Sequence, residues 1–166
     1  MLIVGVDPGC YGALAWLHAG SLVRIEDMPI LKIRRGKTDK AEVDGYLLSR
    51  MLSDRKADLV LIEQVGGLPG QSASAAFNFG RAAASVEYQA MAFGMRVERV
   101  APQVWKKALR LNPGKDAARA MAARMWPAKA GLFARVKDDG RAEAALIAEY
   151  GRRTYGETHV GASVFA

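Results

Sequence analysis

The sequence predicts an α/β fold, a five-stranded mixed sheet flanked by helices. Three observations predict it. The chain opens on an apolar, β-branched run, Leu2 to Val6, and two further strand-like segments follow closely. A second apolar run, Leu59-Val60-Leu61-Ile62, has the unbroken character of a central strand covered on both faces. From about residue 39 onward, helical and strand patterns alternate. With 166 residues and no internal repeat or linker, the chain fits one domain, 1–155, with a short tail, 156–166.

Taken in order, Leu2 to Val6 reads as a buried strand that ends at Asp7-Pro8-Gly9. Gly12 to Leu17 and Ser21 to Glu26 are the next two strands, joined by a hairpin turn at Ala19-Gly20. Met28 to Lys40 carries Pro29, Gly36 and five basic residues and reads as an exposed loop. Asp39 is expected to cap a helix running to about Arg55, with Val43, Leu47, Leu48, Met51 and Leu52 on its apolar face. The Leu59 to Ile62 strand then ends at Glu63, and a glycine-rich loop follows.

An alanine-rich helix is expected from about Ser72 to Phe93, its small residues suited to close packing or a dimer surface. Arg96 to Val100 supplies the fifth strand. Pro102 opens a helix carrying Trp105, Lys106 and Lys107. Asp116 to Trp126 is a further helix, stopped by Pro127. Ala128 to Val136 reads as a loop, and Asp138 to Arg153 as the last helix. The tail after Tyr155 is expected to be poorly ordered.

Composition narrows the partners. Twenty-four basic against 17 acidic residues give a net charge of +7, which attracts polyanions, nucleic acid first and an anionic membrane surface second. No run approaches the length of a membrane span. The single cysteine, Cys10, excludes an intrachain disulfide and fits a reducing compartment; with no secretory pattern at the start, the cytoplasm is expected.

Against this basic background, a few acidic groups stand at the ends of elements. Asp7 ends the first strand and Glu63 the fourth, and these two strands are the most apolar and hence the most central. Asp139 and Glu143 are spaced i, i+4, which puts both on one face of the last helix. Turn formation, solvation and the helix dipole each explain one of these carboxylates alone. Jointly they describe a convergent cluster whose repulsion is costly unless a divalent cation neutralises it. Hard oxygen donors suit Mg²⁺, with Mn²⁺ as a substitute. Two such ions per site support metal-assisted hydrolysis of a phosphodiester.

These residues resemble a known family. Val4-Gly5-Val6-Asp7-Pro8-Gly9 followed by Gly12-Ala13-Leu14-Ala15 is similar to the opening of RuvC-type Holliday junction resolvases. Leu61-Ile62-Glu63-Gln64 resembles their second acidic motif, and Val100 to Lys106 their basic helix. Lys137-Asp138-Asp139-Gly140-Arg141-Ala142-Glu143-Ala144 resembles their last motif. The likeness spans roughly residues 2 to 151, and the Gly-Arg-Ala-Glu-Ala form is nearest to the plant chloroplast resolvases and their phage and bacterial relatives. It implies an RNase H-like fold, a homodimer, and two symmetric nicks across a four-way DNA junction. Asp7, Glu63, Asp139 and Glu143 would carry the metals. The bacterial pattern has two aspartates three apart in the last motif. Here the pair is Asp139 and Glu143, with Asp138 as the competing ligand.

Lys106, Lys107, Lys115 and Arg119 flank the expected catalytic face and suit backbone phosphates. Lys115 stands just before a helix N-terminus, where anions bind well. Gln71 and Asn78 are the candidates for contacts at the junction centre. Phe77, Phe79 and Trp105 read as packing residues, and Arg141 as structural. Three other readings stay open. An actin-like ATPase half shares the strand-Asp-x-Gly opening but needs a longer chain. A non-catalytic branched nucleic-acid-binding module would not need all four carboxylates. A flap, fork or RNA:DNA nuclease would share the acidic site.

Overall fold

The computed structural model describes residues 1–36, 38–64, 66, 70, 72–114 and 116–156. Gln71 and Lys115 lie outside the described residues, as does the tail from 157. Among the described residues, seven strands and five helices follow one another: β1 (Leu2–Asp7), β2 (Ala13–His18), β3 (Ser21–Asp27), β4 (Ile30–Arg35), β5 (Thr38–Val43), α1 (Gly45–Asp54), β6 (Leu59–Glu63), α2 (Ala73–Ala92), β7 (Arg96–Val100), α3 (Pro102–Ala108), α4 (Ala117–Met125) and α5 (Asp139–Tyr155). Short 3-10 turns, Pro127–Phe133 and Val136–Asp138, bridge the last two helices where a loop was expected.

The main sheet has the order β3-β2-β1-β6-β7. The first three strands are antiparallel, and β1, β6 and β7 run parallel. The β2–β3 turn needs two positive-φ residues, and Ala19 (φ 48°) and Gly20 (φ 81°) supply them.

Strand parity sorts the apolar residues into two layers. Val4, Val6, Val60 and Ile62 face α1 and α2, packing with Leu48, Leu52, Val86 and Ala90. Ile3, Leu59 and Leu61 face the other way, toward Trp105, Ala144, Leu146, Ile147 and Ala148. This double burial explains why β1 and β6 carry unbroken apolar runs. Each fully buried aliphatic side chain contributes about 1.5–3 kcal/mol.

The helix α5 lies unusually close to the sheet. A Cβ on Gly5 would stand 2.1 Å from the Ala144 carbonyl oxygen and 2.3 Å from the Ala148 nitrogen. Gly140, Ala144, Ala148 and Gly151 form the stripe that permits this approach.

Residues 28–43 differ from expectation. They form an antiparallel hairpin, β4–β5, outside the main sheet and not a loop. The turn is made at Gly36 (φ 64°), and the β-branched Ile30, Ile33, Thr38 and Val43 favour the strands. Strand β5 therefore occupies the place expected for the start of the helix. Helix α1 begins at Gly45, capped by Asp44, whose carboxylate accepts the Tyr46 and Leu47 N–H groups at 3.0 Å. Among the described residues, no helix is long and apolar enough to cross a membrane.

Candidate active site

Asp7 and Glu63 are the last residues of the adjacent parallel strands β1 and β6, one step beyond the Val6–Ile62 pair. By parity both share the sheet face of Gly5 and Leu61, the face covered by α5. The chain turns sharply after Asp7, with the Gly12 N–H donating to the Gly9 carbonyl at 2.9 Å. Gly12 and Gly140 crowd the Asp7 carboxyl from two sides. A Cβ on either would come within 3.0 Å of Asp7 side-chain atoms. The start of α5 is thus pressed against the end of β1.

Asp7, Asp139 and Glu143 line one cleft of about 650 Å³, with Tyr11, Lys40, Asn78 and Phe79 among its other walls. Asp139 and Glu143 also border a neighbouring hollow of about 490 Å³ that contains Lys106. Glu63 opens onto a third hollow, of about 390 Å³, between β6, α2 and Arg99.

The carboxylates sense one another. Burial, then the charges of Glu143 and Glu63, push the Asp7 carboxyl up to about 7, against the Gly9 N–H and Lys106. Burial and the Glu143 charge also raise Glu63, while the Trp105 indole N–H and Lys106 work against the rise. The indole donates to Glu63 Oε1 at 2.8 Å from a fully buried ring.

Lys106 supplies the compensating charge. Its Nζ stands 2.9 Å from Glu143 Oε1. Burial disfavours the ammonium, but Glu143, Glu63 and Asp7 outweigh that and raise its pKa. Lys106 therefore sits within the acidic cluster. Arg119 is likewise held by acids, donating to Asp139 Oδ1 at 2.7 Å and pairing with Asp116. Lys107 is exposed, and Asn78 lines the cleft.

The two neighbouring aspartates have different surroundings. Asp138 is 1% exposed and is locked by the Arg135 backbone N–H and guanidinium at 2.8–3.2 Å. These bonds hold its carboxyl below the usual range. Asp139 faces the cleft with Glu143. Arg141 donates to Asp27 at 2.5 and 2.7 Å, away from the cluster, as expected of a structural residue. Phe77, expected as a core or dimer residue, is not in the core: it is 66% exposed, with the Arg81 guanidinium 5.8 Å from its ring.

Sequence reasoning missed two features, the Trp105 hydrogen bond and the central placing of Lys106. Their adjacency to Pro102 was the available signal, because a helix opening there aims its first turns back at the strand ends.

All four acidic residues offer hard oxygen donors, and burial first, then neighbouring carboxylates, raises the pKa of Asp7 and Glu63. That donor set fits a divalent cation such as Mg²⁺. Among the described residues, no group of three or more His, Cys, Asp or Glu side chains is gathered closely enough to hold a metal ion as it stands.

No family model matches the sequence, and no curated protein matches it. Solved structures do. A Thermus thermophilus RuvC in complex with Holliday junction substrate matches with a TM-score of 0.60 and 17% identity, over 93% of this chain and 96% of that one. A second Thermus thermophilus RuvC structure matches with a TM-score of 0.56, again at 17% identity, over 92% and 96%. The fold is the RNase H-like mixed sheet expected from the sequence.

Proposed function

We propose that this protein is a structure-selective, metal-dependent endodeoxyribonuclease that resolves four-way DNA junctions. It acts as a cytoplasmic homodimer that nicks two strands symmetrically. The observation that carries the reading is the placing of Asp7 and Glu63 at the ends of adjacent parallel strands, with Asp139 and Glu143 of α5 on the cleft that Asp7 lines. Such a site at the carboxyl ends of parallel strands is where open α/β sheets place their chemistry. The fold is shared with a RuvC solved on a Holliday junction, which supports this substrate. The Gly140 to Ala144 run supports the plant-chloroplast type of site.

Asp7, Glu63, Asp139 and Glu143 would hold Mg²⁺, or Mn²⁺ in its place, two ions per site. Bound there, the metal supplies Lewis-acid activation of water and charge neutralisation at the scissile phosphate. The protein's own residues do the rest. Trp105 fixes the Glu63 carboxylate by its indole N–H. Arg119 steadies Asp139. The Lys106 ammonium, paired with Glu143, would exchange that partner for a phosphate oxygen and hold its charge. Lys107, Lys115, Gln71 and Asn78 hold the DNA around the cut.

The test is a nicking assay on a synthetic four-way junction, a fork, an RNA:DNA hybrid and linear duplex, with Mg²⁺ and with EDTA. Paired symmetric nicks on the junction, absent in EDTA, are expected. Equal cutting of linear duplex would sink the junction reading. Cutting confined to forks or hybrids would reassign the substrate, and binding without cutting would leave a branched-DNA-binding module.

A further inference from the structure

The β4–β5 hairpin was not anticipated from the sequence, and it stands at the cleft. Asp39, Lys40 and Ala41 line the same hollow as Asp7, Asp139 and Glu143. We infer that this hairpin is a phosphate-binding wall of the cleft that holds the backbone of one duplex arm beside the carboxylates. The inference rests on the nucleic-acid reading of the site given above.

Three observations carry it. First, the hairpin is anchored at its base and along β5. The Cys10 thiol donates to the Ala41 carbonyl at 3.6 Å, and the Asp44 N–H donates to the Pro29 carbonyl at 2.8 Å. Arg81 of α2 pairs with Glu42 at 3.2 Å. Second, the register sets Lys32 opposite Ala41 and Arg34 opposite Asp39. Cross-strand partners share a face, so both cations lie on the side of the cleft-lining Asp39 and Ala41, while Lys40, one residue out of step, lies on the other. Third, the charge on offer is positive. Lys32, Arg34 and Lys40 are exposed. Glu42 is turned inward to Arg81, its side chain 14% exposed. The Arg34–Asp39 pair, 3.2 Å apart and 69% and 54% exposed, is a surface pair that a phosphate displaces at little cost.

The dimensions suit a duplex. A six-residue strand reaches about 20 Å, more than half of a DNA turn of about 34 Å. A rigid ribbon with cations at alternate positions can follow a phosphate backbone over that distance. Contacts of this kind position the substrate without reading its sequence.

The test compares two double variants of equal charge change. One is Lys32→Ala with Arg34→Ala on the hairpin. The control is Arg55→Ala with Lys56→Ala, exposed residues before β6 at the opposite end of the sheet. Binding of a labelled four-way junction is followed by fluorescence anisotropy in EDTA over a salt series. The hairpin variant is expected to bind about ten-fold more weakly near physiological salt, with a log–log salt slope smaller by about 1–2. The control should match wild type. Unchanged affinity and slope in the hairpin variant, or an equal loss in the control, would overturn the inference. Should wild type neither bind nor nick DNA, the proposed function fails and the inference falls with it. Should wild type nick the junction while the hairpin variant binds as wild type does, only the inference fails.

Discussion

Asp138 and Asp139 are adjacent and chemically identical, and the sequence left them as rivals. One residue along a helix rotates a side chain by about 100°, which separates a locked structural carboxylate from one facing the cleft. That rotation depends on where the helix begins, the least legible feature of a sequence. Asp7 and Glu63 were legible because strand ends are marked by the loss of apolar character. Their electrostatic state yields a prediction. The folded-state pKa of Asp7 is raised to about 7, so the folded metal-free protein holds a proton there that the unfolded chain releases near 4. Stability is then lost as pH rises between those values. Asp7→Asn should therefore raise the stability of the metal-free protein at pH 8 by on the order of 1–2 kcal/mol, read by urea unfolding in EDTA, while abolishing cleavage. A destabilised variant would contradict the assigned repulsion. Trp105→Phe separates the indole's two roles. It keeps an aromatic ring in the core but deletes the N–H that lowers the Glu63 pKa. The rising limb of the cleavage pH profile should move to higher pH, with little loss of fold. An unmoved profile would mean that the hydrogen bond does not tune Glu63.

The strands of the main sheet and the later helices were readable because each has an apolar period and a marked end. Pro102 opens α3, and the apolar pattern of β6 was that of a strand buried on both faces. The hairpin escaped for a physical reason. Its strands lie outside the main sheet, so the charged content that suggested a loop is compatible with a ribbon. The capping residue was misplaced for the same cause, because β5 takes up residues 38–43. At this scale the contact between α5 and β1 governs the site. Gly5→Ala puts a methyl against the Ala144 and Ala148 backbone, which cannot rotate away. The helix must lift, at an expected cost of about 3 kcal/mol or more. Glu143 and Asp139 would lift with it. The expected outcome is a lower Tm together with loss of nicking greater than the unfolded fraction explains. Full activity in the folded fraction would show that the carboxylates need no such close packing.

At the scale of the whole molecule, a basic chain carries an acidic cleft. A chain of net charge +7 concentrates acids at one cleft and partly neutralises them with its own Lys106. Such an arrangement is stabilised by binding a cation, because the folded state gathers the ligands and the unfolded chain does not. Protons compete for the same carboxylates, so the gain from metal must depend on pH. Below about pH 5 the raised pKa of Asp7 keeps it protonated, and Mg²⁺ should change Tm little. Above pH 7 the ionised cluster repels itself in EDTA and is relieved by metal. A concentration ten times the dissociation constant is worth about 1.4 kcal/mol. Melting curves in EDTA and in Mg²⁺ should therefore coincide in acid and diverge progressively through neutral pH. The divergence should vanish in Asp7→Asn paired with Glu143→Gln. Curves separated by the same interval at every pH would point to a metal site elsewhere on the chain, and curves that never separate would remove the metal from the proposed chemistry.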